Sequence, residues 1–425
     1  MKEFTDLLNK AVEKIKSTND LIQIVSHLDC DGIASASIVA SILIKIEKNF
    51  QITFVKRIKH EVIETLKKRN SKLIIFTDIG SGYLDLLKDL DSDLIILDHH
   101  EIEGSASEKM IHINPEEVDL KLSGSGTTYL LAKELLQDNS LAALAIVGTI
   151  GDVSYSTDSK LFDTPLIEAE IGLNLFGRFS RPLYRALELS GINEAIQFLS
   201  EIEIKPQENG KWRTLNDLNK EEKERLADAF VKESVKNGKY KKELVFSNHL
   251  TLKQFPDELR DAKEFATILN ACANLNEPSV GVAICLGSKK ALENARGILK
   301  GYRKLIAGYM NWITNNPNSI RQTEFANYIL AKDNINENMI GTIVSMLFKP
   351  SKKTLIGLVN AEDGIKISAR SKDVNVREII CEAAKVCEGR GGGHSHAAGA
   401  TIPFNTEEKF IETCENLFKE RLIKV

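Results

Sequence analysis

Acidic and histidine side chains occur close together in four short segments of the sequence. The segments read SHLDCDG at 26–32, TDIGSG at 77–82, DHHE at 98–101 and GTIGDVS at 148–154. Carboxylates and imidazoles without thiolates favour Mn²⁺ or Mg²⁺ over a structural zinc ion, and this set is large enough for a pair of ions. The candidate residues are His27, Asp29, Asp31, Asp78, Asp98, His99, His100 and Asp152.

A pair of such ions would give the protein a defined chemistry. Two metals ~3.5–4 Å apart hold a phosphate between them and generate a hydroxide nucleophile at neutral pH, which is the chemistry of phosphoester hydrolysis. Each segment alone could instead be a turn or a helix cap, because Asp and Gly are common in both. Burying this many carboxylates together without cations would be prohibitive, so the joint pattern predicts a metal centre.

The segment LSGSGTT at 122–128 directly precedes a helical pattern and predicts an anion site at the N-terminus of a helix. Its backbone N–H groups and the hydroxyls of Ser125 and Thr127 would face a substrate phosphate. The alternative interpretation is that the segment only caps the helix.

A second glycine-rich segment, GRGGGHSHAAG at 389–399, is predicted to be a loop. It lacks the Lys-Ser/Thr of a P-loop and does not complete the pattern G-x-G-x-x-G. Five glycines beside Arg390, His394 and His396 indicate a cationic pocket lined by backbone. The alternative is a flexible turn.

Short apolar runs place three of the four metal-binding segments at the ends of predicted strands, and the fourth, which contains Asp152, follows an apolar segment. Strands are predicted at 21–26, 52–55, 73–77 and 94–97, with helical patterns between them. Continuous apolar runs suit strands that are buried on both faces of a parallel sheet, and the alternation predicts an α/β fold with a doubly wound parallel sheet. Ligands of such sheets bind outside the carboxyl ends of the strands, so we expect the segments to converge on one crevice.

The remainder of the chain changes character twice, which predicts three domains. Residues 1–156 would form the catalytic domain and residues 157–250 a charged helical insertion. The insertion would be either a solvated spacer or, because of its apolar stripes, a docking surface for a partner protein. Residues 251–425 would form a smaller α/β domain with its core at about 340–425, containing a hairpin around Asp363 and Gly364.

Composition limits the possible classes of protein. The chain has 425 residues, of which 43% are hydrophobic and 27% charged, as in soluble globular proteins. A net charge of -4 gives no basic field over the whole protein, so a nucleic-acid site must be a local basic groove or a metal centre. The six scattered cysteines contain no C-x-x-C pair, and no apolar run approaches the ~20 residues of a membrane span. We therefore expect a cytoplasmic protein with free thiols.

The order H-x-D-x-D-G, D, DHH, G-D and finally GGGH-x-x-AAG resembles the DHH phosphoesterase superfamily. The matching residues lie between Ser26 and Asp152 and between about Thr354 and Gly399, and the second region resembles the DHH-associated domain. The similarity is greatest to archaeal RecJ-like exonucleases, which the segment LRDAKEFATILNACANL at 259–275 also resembles.

The resemblance implies a role for each matching residue. His27, Asp29 and Asp78 would bind one metal. The second metal would be bound by Asp78 as the bridging ligand together with Asp31, His99 and Asp152. His100 would lie near the scissile phosphate or leaving group, and Asp98 would orient the site. Contacts to substrate phosphate and base are implied for Ser368, Arg370, Ser371, Gly392, Gly393 and His394.

The favoured function is an exonuclease that uses two Mn²⁺ ions, or Mg²⁺, to degrade single-stranded DNA or RNA in replication or repair. Resemblance to replication-associated members implies that the insertion docks on fork proteins such as a GINS-type complex. Three alternatives stay open: a phosphodiesterase for short oligoribonucleotides or small nucleotides, a pyrophosphate hydrolase, and a structural subunit of a replicative helicase. The last would be expected to lose metal ligands, whereas every ligand position is filled here.

Overall fold

The structure is a computed structural model that describes residues 2–137, 139–152, 164–187, 192–236, 246–349 and 353–422. The predicted boundary between residues 156 and 157 lies outside these residues. The chain forms two compact units, the first comprising Met1–Ala273 with Pro278–Ser288, and the second Asn274–Glu277 with Lys289–Val425. The predicted insertion and the start of the predicted third domain thus cluster with the first unit, and the three-domain division itself stays a prediction.

A five-stranded parallel sheet forms the centre of the first unit. Its strands coincide with the most apolar runs of the sequence, because such runs can be buried on both faces of a sheet. The α/β fold with a parallel sheet is confirmed. The strands are β1 (Ile22–His27), β2 (Phe50–Val55), β3 (Leu73–Thr77), β4 (Asp93–Leu97) and β5 (Met110–Ile113).

Helices connect and cover these strands. Near the carboxyl ends of the strands, α2 follows β1, while α5 and α6 follow β5. An apolar core that includes Val25, Ile74, Phe76 and Ile96 packs on one face of the sheet. The helices up to residue 152 are α1 (Lys2–Ser17), α2 (Cys30–Lys45), α3 (His60–Arg69), α4 (Leu84–Leu87), α5 (Gly124–Leu136) and α6 (Ala142–Asp152).

The order of the strands decides where the loops meet. The sheet runs β2-β1-β3-β4-β5, so the chain moves to one side after β1 and to the other side after β2. Such a reversal opens a crevice at the carboxyl ends of the two central strands. In this protein the crevice lies between β1 and β3, where His27 pairs with Val55 of β2 and Ser26 with Thr77 of β3.

The insertion is a folded body and not only a solvated set of helices. Its apolar core includes Leu183, Leu199, Leu215 and Leu226. The predicted helical character is right for two long segments. It is wrong for residues 166–173 (LIEAEIGL), the first part of one of the apolar stripes, where polar and apolar residues alternate and residues 167–173 pair as a strand. Its elements are β6 (Ile167–Leu173), α7 (Leu183–Ala186), α8 (Ile192–Glu201), β7 (Gln207–Glu208), β8 (Lys211–Trp212), α9 (Lys220–Lys236) and β9 (Phe246–Leu252).

Three helices follow, and the third opens the second unit. They are α10 (Ala262–Asn274), α11 (Pro278–Cys285) and α12 (Lys289–Asn315). Within the described residues no helix is both long and apolar enough to cross a membrane.

The second unit is built on a six-stranded sheet of order β10-β11-β12-β13-β15-β14. The predicted hairpin around Asp363 is confirmed, because β12 and β13 pair antiparallel. Helices α14 and α15 cover one face of the sheet around Ile367, Ala398 and Phe410. The elements are β10 (Ile320–Gln322), β11 (Ala326–Lys332), α13 (Ile340–Leu347), β12 (Thr354–Ala361), β13 (Gly364–Arg370), α14 (Val376–Val386), β14 (Arg390–His394), β15 (Ala397–Ile402) and α15 (Glu407–Leu422).

The glycine-rich segment corrects one prediction. RGGGH is not a loop but the edge strand β14, which pairs antiparallel with β15 from Arg390 to His394. Glycine is unfavourable in most strands. At Gly393, however, only glycine fits. The φ of this residue is +124°, and a Cβ atom would lie 2.5 Å from the Ala397 backbone oxygen.

Candidate active site

The metal-binding segments meet at the carboxyl end of the parallel sheet, as the sequence predicts. His27 is the last residue of β1, and Asp29 is the N-cap of α2, accepting a hydrogen bond from the Gly32 N–H at 2.8 Å. Asp78 directly follows β3 and has a left-handed φ of +57°. That conformation is uncommon for residues other than Gly, Asn and Asp, and it directs the carboxylate into the crevice.

His27, Asp29 and Asp78 form the first group of potential ligands. His27 Nδ1 lies 2.8 Å from Asp29 Oδ2 and 3.6 Å from Asp78 Oδ2. Despite these short distances, His27 Nδ1 and Asp78 Oδ2 are buried without a properly oriented hydrogen bond to any described residue. The three side chains therefore point to a common position rather than to one another.

Asp31, His99 and Asp152 form the second group. The Nε2 atom of His99 lies 3.9 Å from Asp31 Oδ2 and 3.9 Å from Asp152 Oδ2. The same atom lies 3.1 Å from Asp78 Oδ1, so Asp78 has one carboxylate oxygen beside each group. The structure thus brings all six predicted ligands together, with Asp78 between the two groups.

The electrostatics of these groups fit divalent cations. Burial, together with the charges of Asp31 and Asp29, raises the pKa of Asp78 well above its usual value. Burial and Asp31 raise the pKa of Asp152 in the same way. The pKa of His99 falls to about 4 because of burial and the neighbouring His100. Metals require deprotonated carboxylates and neutral imidazoles, and bound cations would remove the repulsion that disfavours the carboxylate charges.

The N-terminus of α5 does bind an anion, but the anion is the protein's own Asp31. Gly124 N–H donates to Asp31 Oδ2 at 2.7 Å, and Ser125 N–H donates to Asp31 Oδ1 at 3.0 Å. A carboxylate at this position is stabilised by the positive end of the helix dipole. The helix is capped by Ser123, whose hydroxyl accepts from Gly126 N–H, so the capping interpretation of the segment is confirmed.

Ser125 and Thr127 do not face a substrate phosphate, contrary to our expectation. Both side chains are fully buried. The Ser125 hydroxyl donates to the Ala145 carbonyl at 2.9 Å, and the Thr127 hydroxyl donates to the Ser123 carbonyl at 2.9 Å. Their groups therefore hold α5 and Asp31 in place.

Two glycines allow the carboxylates to come this close, and the sequence analysis did not identify them as site residues. A Cβ atom on Gly124 would lie 2.5 Å from Asp78 Oδ1, and one on Gly148 would lie 2.4 Å from Asp31 Oδ1. A glycine inside the helical segment AALAIVGTIGD is the signal that points to Gly148, because glycine inside a helix is costly without a packing reason.

Asp98 lies behind the site and holds His100. It is fully buried, and its Oδ1 atom lies 2.7 Å from His100 Nδ1. Burial alone would lower the pKa of His100, but the Asp98 charge raises it to about 9. The geometry matches the predicted orienting position of Asp98.

Three further residues fix this arrangement, and the sequence analysis did not single them out. Ser81 N–H donates to Asp98 Oδ2 at 2.8 Å. The side-chain amide of Asn114 donates to the His100 carbonyl at 2.8 Å and to the Ser81 hydroxyl at 3.1 Å. His112 Nε2 lies 2.9 Å from the same hydroxyl. The Asn-Pro pair at the end of a short apolar run could have drawn attention to Asn114.

The predicted substrate contacts of the second unit lie in the sheet of that unit. Arg370 pairs with Ala397, which also pairs with His394. Two residues away along each strand, Ser368 and Gly392 both pair with Gly399. Residues two apart on a strand share a face, so four predicted residues share the face opposite the apolar core. We call these the sheet-face residues: Ser368, Arg370, Gly392 and His394.

Ser371 and Gly393 do not belong to this face. The alternation along each strand places Gly393 with Ala398, on the core side of the sheet. The Ser371 hydroxyl is buried and lies 2.9 Å from the Thr354 hydroxyl. Their proposed contacts with substrate are therefore not supported by their positions.

Arg370 carries a positive charge without a neighbouring carboxylate among the described residues. Its Nε donates to the Ser345 hydroxyl at 2.9 Å, and Nη1 donates to the Ala369 carbonyl at 2.9 Å. Burial lowers the pKa of its guanidinium. Next to it, a Cβ on Gly392 would meet no atom within 4 Å. A cation beside small residues that leave open space is suited to binding a phosphate.

Three known protein families match separate parts of the chain. Residues 21–149 match the DHH family, N-terminal domain, residues 175–245 match the DHH-CID domain, and residues 323–420 match the DHHA1 domain. The uncharacterized protein MJ0831 of Methanocaldococcus jannaschii is 28% identical over 458 residues, which cover 99% of each chain.

Solved structures show the same fold at low sequence identity. RecJ from Thermus thermophilus in complex with Mn²⁺ is 16% identical with a TM-score of 0.61, over 99% of this chain and 54% of RecJ. The chain thus spans about half the length of that protein. A manganese-bound exonuclease RecJ matches over 98% of this chain and 94% of its own, with 16% identity and a TM-score of 0.58. Cdc45 from Entamoeba histolytica is 12% identical with a TM-score of 0.57, over 98% and 99% of the two chains.

Proposed function

We propose that this chain, which belongs to the DHH family, is a two-metal phosphodiesterase that acts as an exonuclease on single-stranded nucleic acid. One observation carries the proposal: Asp78 lies between two groups of potential ligands, with its Oδ2 3.6 Å from His27 Nδ1 and its Oδ1 3.1 Å from His99 Nε2. Metal pairs in such sites polarise the phosphoryl group and lower the pKa of a bound water.

The residues of the chain would bind the cations, orient the reacting groups and donate a proton to the leaving oxygen. His27, Asp29 and Asp78 would hold one cation, and Asp31, His99 and Asp152 the other with Asp78. His100 is protonated at neutral pH in the metal-free protein, and its Nδ1 is occupied by Asp98. The Nε2 proton is then the one available for the oxygen that leaves the phosphorus. Nearby cations would lower the pKa of His100 towards neutrality, which suits a general acid.

Substrate recognition would depend on the phosphate backbone more than on the bases. The sheet-face residues offer an arginine, a hydroxyl, an imidazole and open glycine backbone, none of which distinguishes one base from another by itself. Contacts to phosphate position a substrate without reading its sequence. We therefore expect cleavage of single strands with little sequence preference.

The decisive experiment compares substrates side by side. End-labelled single-stranded DNA, single-stranded RNA, a dinucleotide and pyrophosphate are incubated with the protein and Mn²⁺, Mg²⁺ or excess EDTA. We expect stepwise shortening of a single strand with Mn²⁺, less with Mg²⁺ and none with EDTA. Cleavage of the dinucleotide alone would favour the small-nucleotide alternative. Full activity in EDTA would refute the metal mechanism.

We also propose that the insertion docks on a replication-fork protein, such as a GINS-type complex. Its folded core leaves large apolar side chains at the surface, including Ile171, which is 78% exposed, and Ile192, which is 51% exposed. The likeness of the whole chain to the Cdc45 fold supports a partner at the fork.

Surface variants test this docking without removing the insertion. Ile171→Lys combined with Ile192→Lys should keep nuclease activity and abolish co-purification with the fork proteins. Ile44→Lys is the matched control, because Ile44 is 53% exposed in the parallel-sheet region. Equal recovery of the partner with the double variant would contradict the docking proposal.

A further inference from the structure

Helix α12 has an unusual distribution of charge. Its sequence KKALENARGILKGYRKLIAGYMNWITN contains six basic residues and one acidic residue, in a protein whose net charge is -4. By contrast, α15 of the same unit contains five acidic and three basic residues. Positive charge is thus concentrated on one helix.

The charges lie on the solvent side of α12. Ala291, Ala295 and Tyr302 are buried against the unit. Four exposed basic residues lie on the opposite side, with the exposed Glu293 between the first two. They span ~22 Å along the axis at 1.5 Å per residue. We call this surface the basic stripe: Lys289, Arg296, Lys300 and Lys304.

The stripe does not stabilise the helix that carries it. Arg296, Lys300 and Lys304 are spaced four residues apart, and like charges at this spacing repel each other. Lys289 lies in the first turn, where the helix dipole disfavours a cation. No carboxylate pairs with Lys289, Lys300 or Lys304 within the part of the chain that the structure describes. A sequence that opposes local stability in this way suggests a function for the charges.

Glycines beside the stripe leave room for a ligand. A Cβ atom on Gly297 or Gly308 would meet nothing within 4 Å. Glycine inside a helix is unfavourable compared with alanine, so these positions also oppose helix stability. They expose the helix backbone next to the cations and would allow a chain of phosphates to approach closely.

We infer that the basic stripe binds the phosphate backbone of single-stranded nucleic acid, separately from the ligands and contacts described above. The inference rests on the proposed function, because it extends the substrate surface of the same enzyme. A row of cations on a rigid helix matches the regular charge of a polynucleotide, and such binding depends on salt but not on sequence.

The test replaces three lysines and uses a matched control in the same unit. The stripe variant is Lys289→Gln, Lys300→Gln, Lys304→Gln. The control is Lys385→Gln, Lys409→Gln, Lys419→Gln, which removes the same charge from exposed positions on α14 and α15. Fluorescence anisotropy of labelled 20-nucleotide DNA and RNA is measured in EDTA, so that no metal-dependent cleavage occurs, across a series of salt concentrations.

We expect the stripe variant to bind both polymers at least about tenfold more weakly at low salt than wild type. The slope of log affinity against log salt should fall by about 2, because each lost phosphate contact on a single strand removes ~0.7. The control should keep the slope of wild type. Equal slopes in the two variants, or a loss confined to RNA, would overturn the inference.

A cleavage assay with Mn²⁺ separates this inference from the proposed function. If wild type degrades single strands and both variants bind like wild type, only the stripe is refuted. If wild type cleaves no phosphodiester while the stripe variant alone loses binding, the proposed function is refuted and the binding surface stands.

Discussion

The two motifs near opposite ends of this chain, DHH and GGGH, build sites of opposite physical character. The metal-binding segments of the first unit bring charged side chains together in a buried crevice, where Asp31, Asp78 and His99 are each at most 3% exposed. The sheet face of the second unit instead exposes backbone and small residues around Arg370, and most of its edge strand is exposed.

From this difference we expect the first site to carry out the chemistry and the sheet face to bind the substrate. Buried carboxylates repel each other unless cations are present, so the first site should depend on each ligand almost completely. An open sheet face shares its contacts among several weak groups, and it should lose activity gradually. Substitutions in the buried crevice should therefore reduce activity far more than substitutions on the sheet face.

Asp78→Ala should give the largest loss, because it removes the carboxylate that has one oxygen beside each ligand group. We expect kcat/KM to fall on the order of 10³-fold or more, as when a main electrostatic contact to the reacting group is lost. Bound metal, measured by mass spectrometry, should fall with it. Asp91→Ala is the control, since that side chain lies fully in solvent. Substantial activity of Asp78→Ala at saturating Mn²⁺ would refute the two-metal site.

Metal removal should make the stability of the protein depend more on pH. The folded-state pKa values of Asp78 and Asp152 are raised, so in EDTA the folded protein binds more protons than the unfolded chain. Stability in EDTA should therefore fall as pH rises above about 4. Saturating Mn²⁺ should remove most of this decline and add about 2.7 kcal/mol at a hundredfold excess over Kd. Thermal unfolding from pH 5 to pH 8 measures both effects.

Glu264 supplies the control for that experiment, because it is buried outside the metal centre. Burial raises its pKa to about 7, which also reduces stability as pH rises from about 4.3 to 7. Glu264→Gln should flatten this part of the pH profile equally with and without Mn²⁺. If Mn²⁺ reduces the decline in stability of wild type but substitution of the metal ligands leaves that decline unchanged, our assignment is wrong.

Asp98→Asn should have an intermediate effect, since it changes the residue that holds His100 and leaves the ligands in place. We expect a fall in kcat of about 10- to 100-fold, the range for groups that orient a metal site. The alkaline limit of the pH-rate profile should move to lower pH, because the charge that raises the pKa of His100 is lost. An unchanged limit would show that His100 is not the proton donor.

Arg370→Ala should reduce kcat/KM for long single strands by roughly tenfold, the effect of about one charge-assisted hydrogen bond, with normal metal content. Arg370→Lys should recover only part of this, since an ammonium cannot reproduce the planar fork of donors. The loss should shrink for a dinucleotide if the contact lies beyond the scissile phosphate. Loss of bound metal in Arg370→Ala would refute the separation of metal binding from substrate binding.

Gly392→Ala should give the smallest change. The added methyl group meets no protein atom, so the free energy of unfolding should change by less than ~1 kcal/mol. A few-fold rise in KM would show that the substrate approaches the sheet face at Gly392. No change with either Ala or Val at this position would place the substrate elsewhere on the sheet.

The sequence by residue type and spacing predicts most local elements and the candidate ligands that the crevice brings together. The apolar run at 73–77 is β3, and three of the four metal-binding segments lie at strand ends as predicted because a parallel sheet presents the ends of its strands at one edge. Asp152 instead ends the helix α6. This information is local, since residue type and spacing depend only on neighbours along the chain. The orienting position of Asp98 came only from the resemblance to the DHH superfamily.

Which groups face each other depends on the tertiary structure. Ser125 and Thr127 resemble a phosphate-binding segment, but Asp31, more than 90 residues away in sequence, occupies the helix N-terminus. Asn114 acts on His100 only because β4 and β5 are neighbours. The RGGGH strand exists because β15 offers it hydrogen bonds, whereas its glycines favour a loop. Long-range pairing, which supplies partners that the local sequence cannot specify, is the physical reason for each difference.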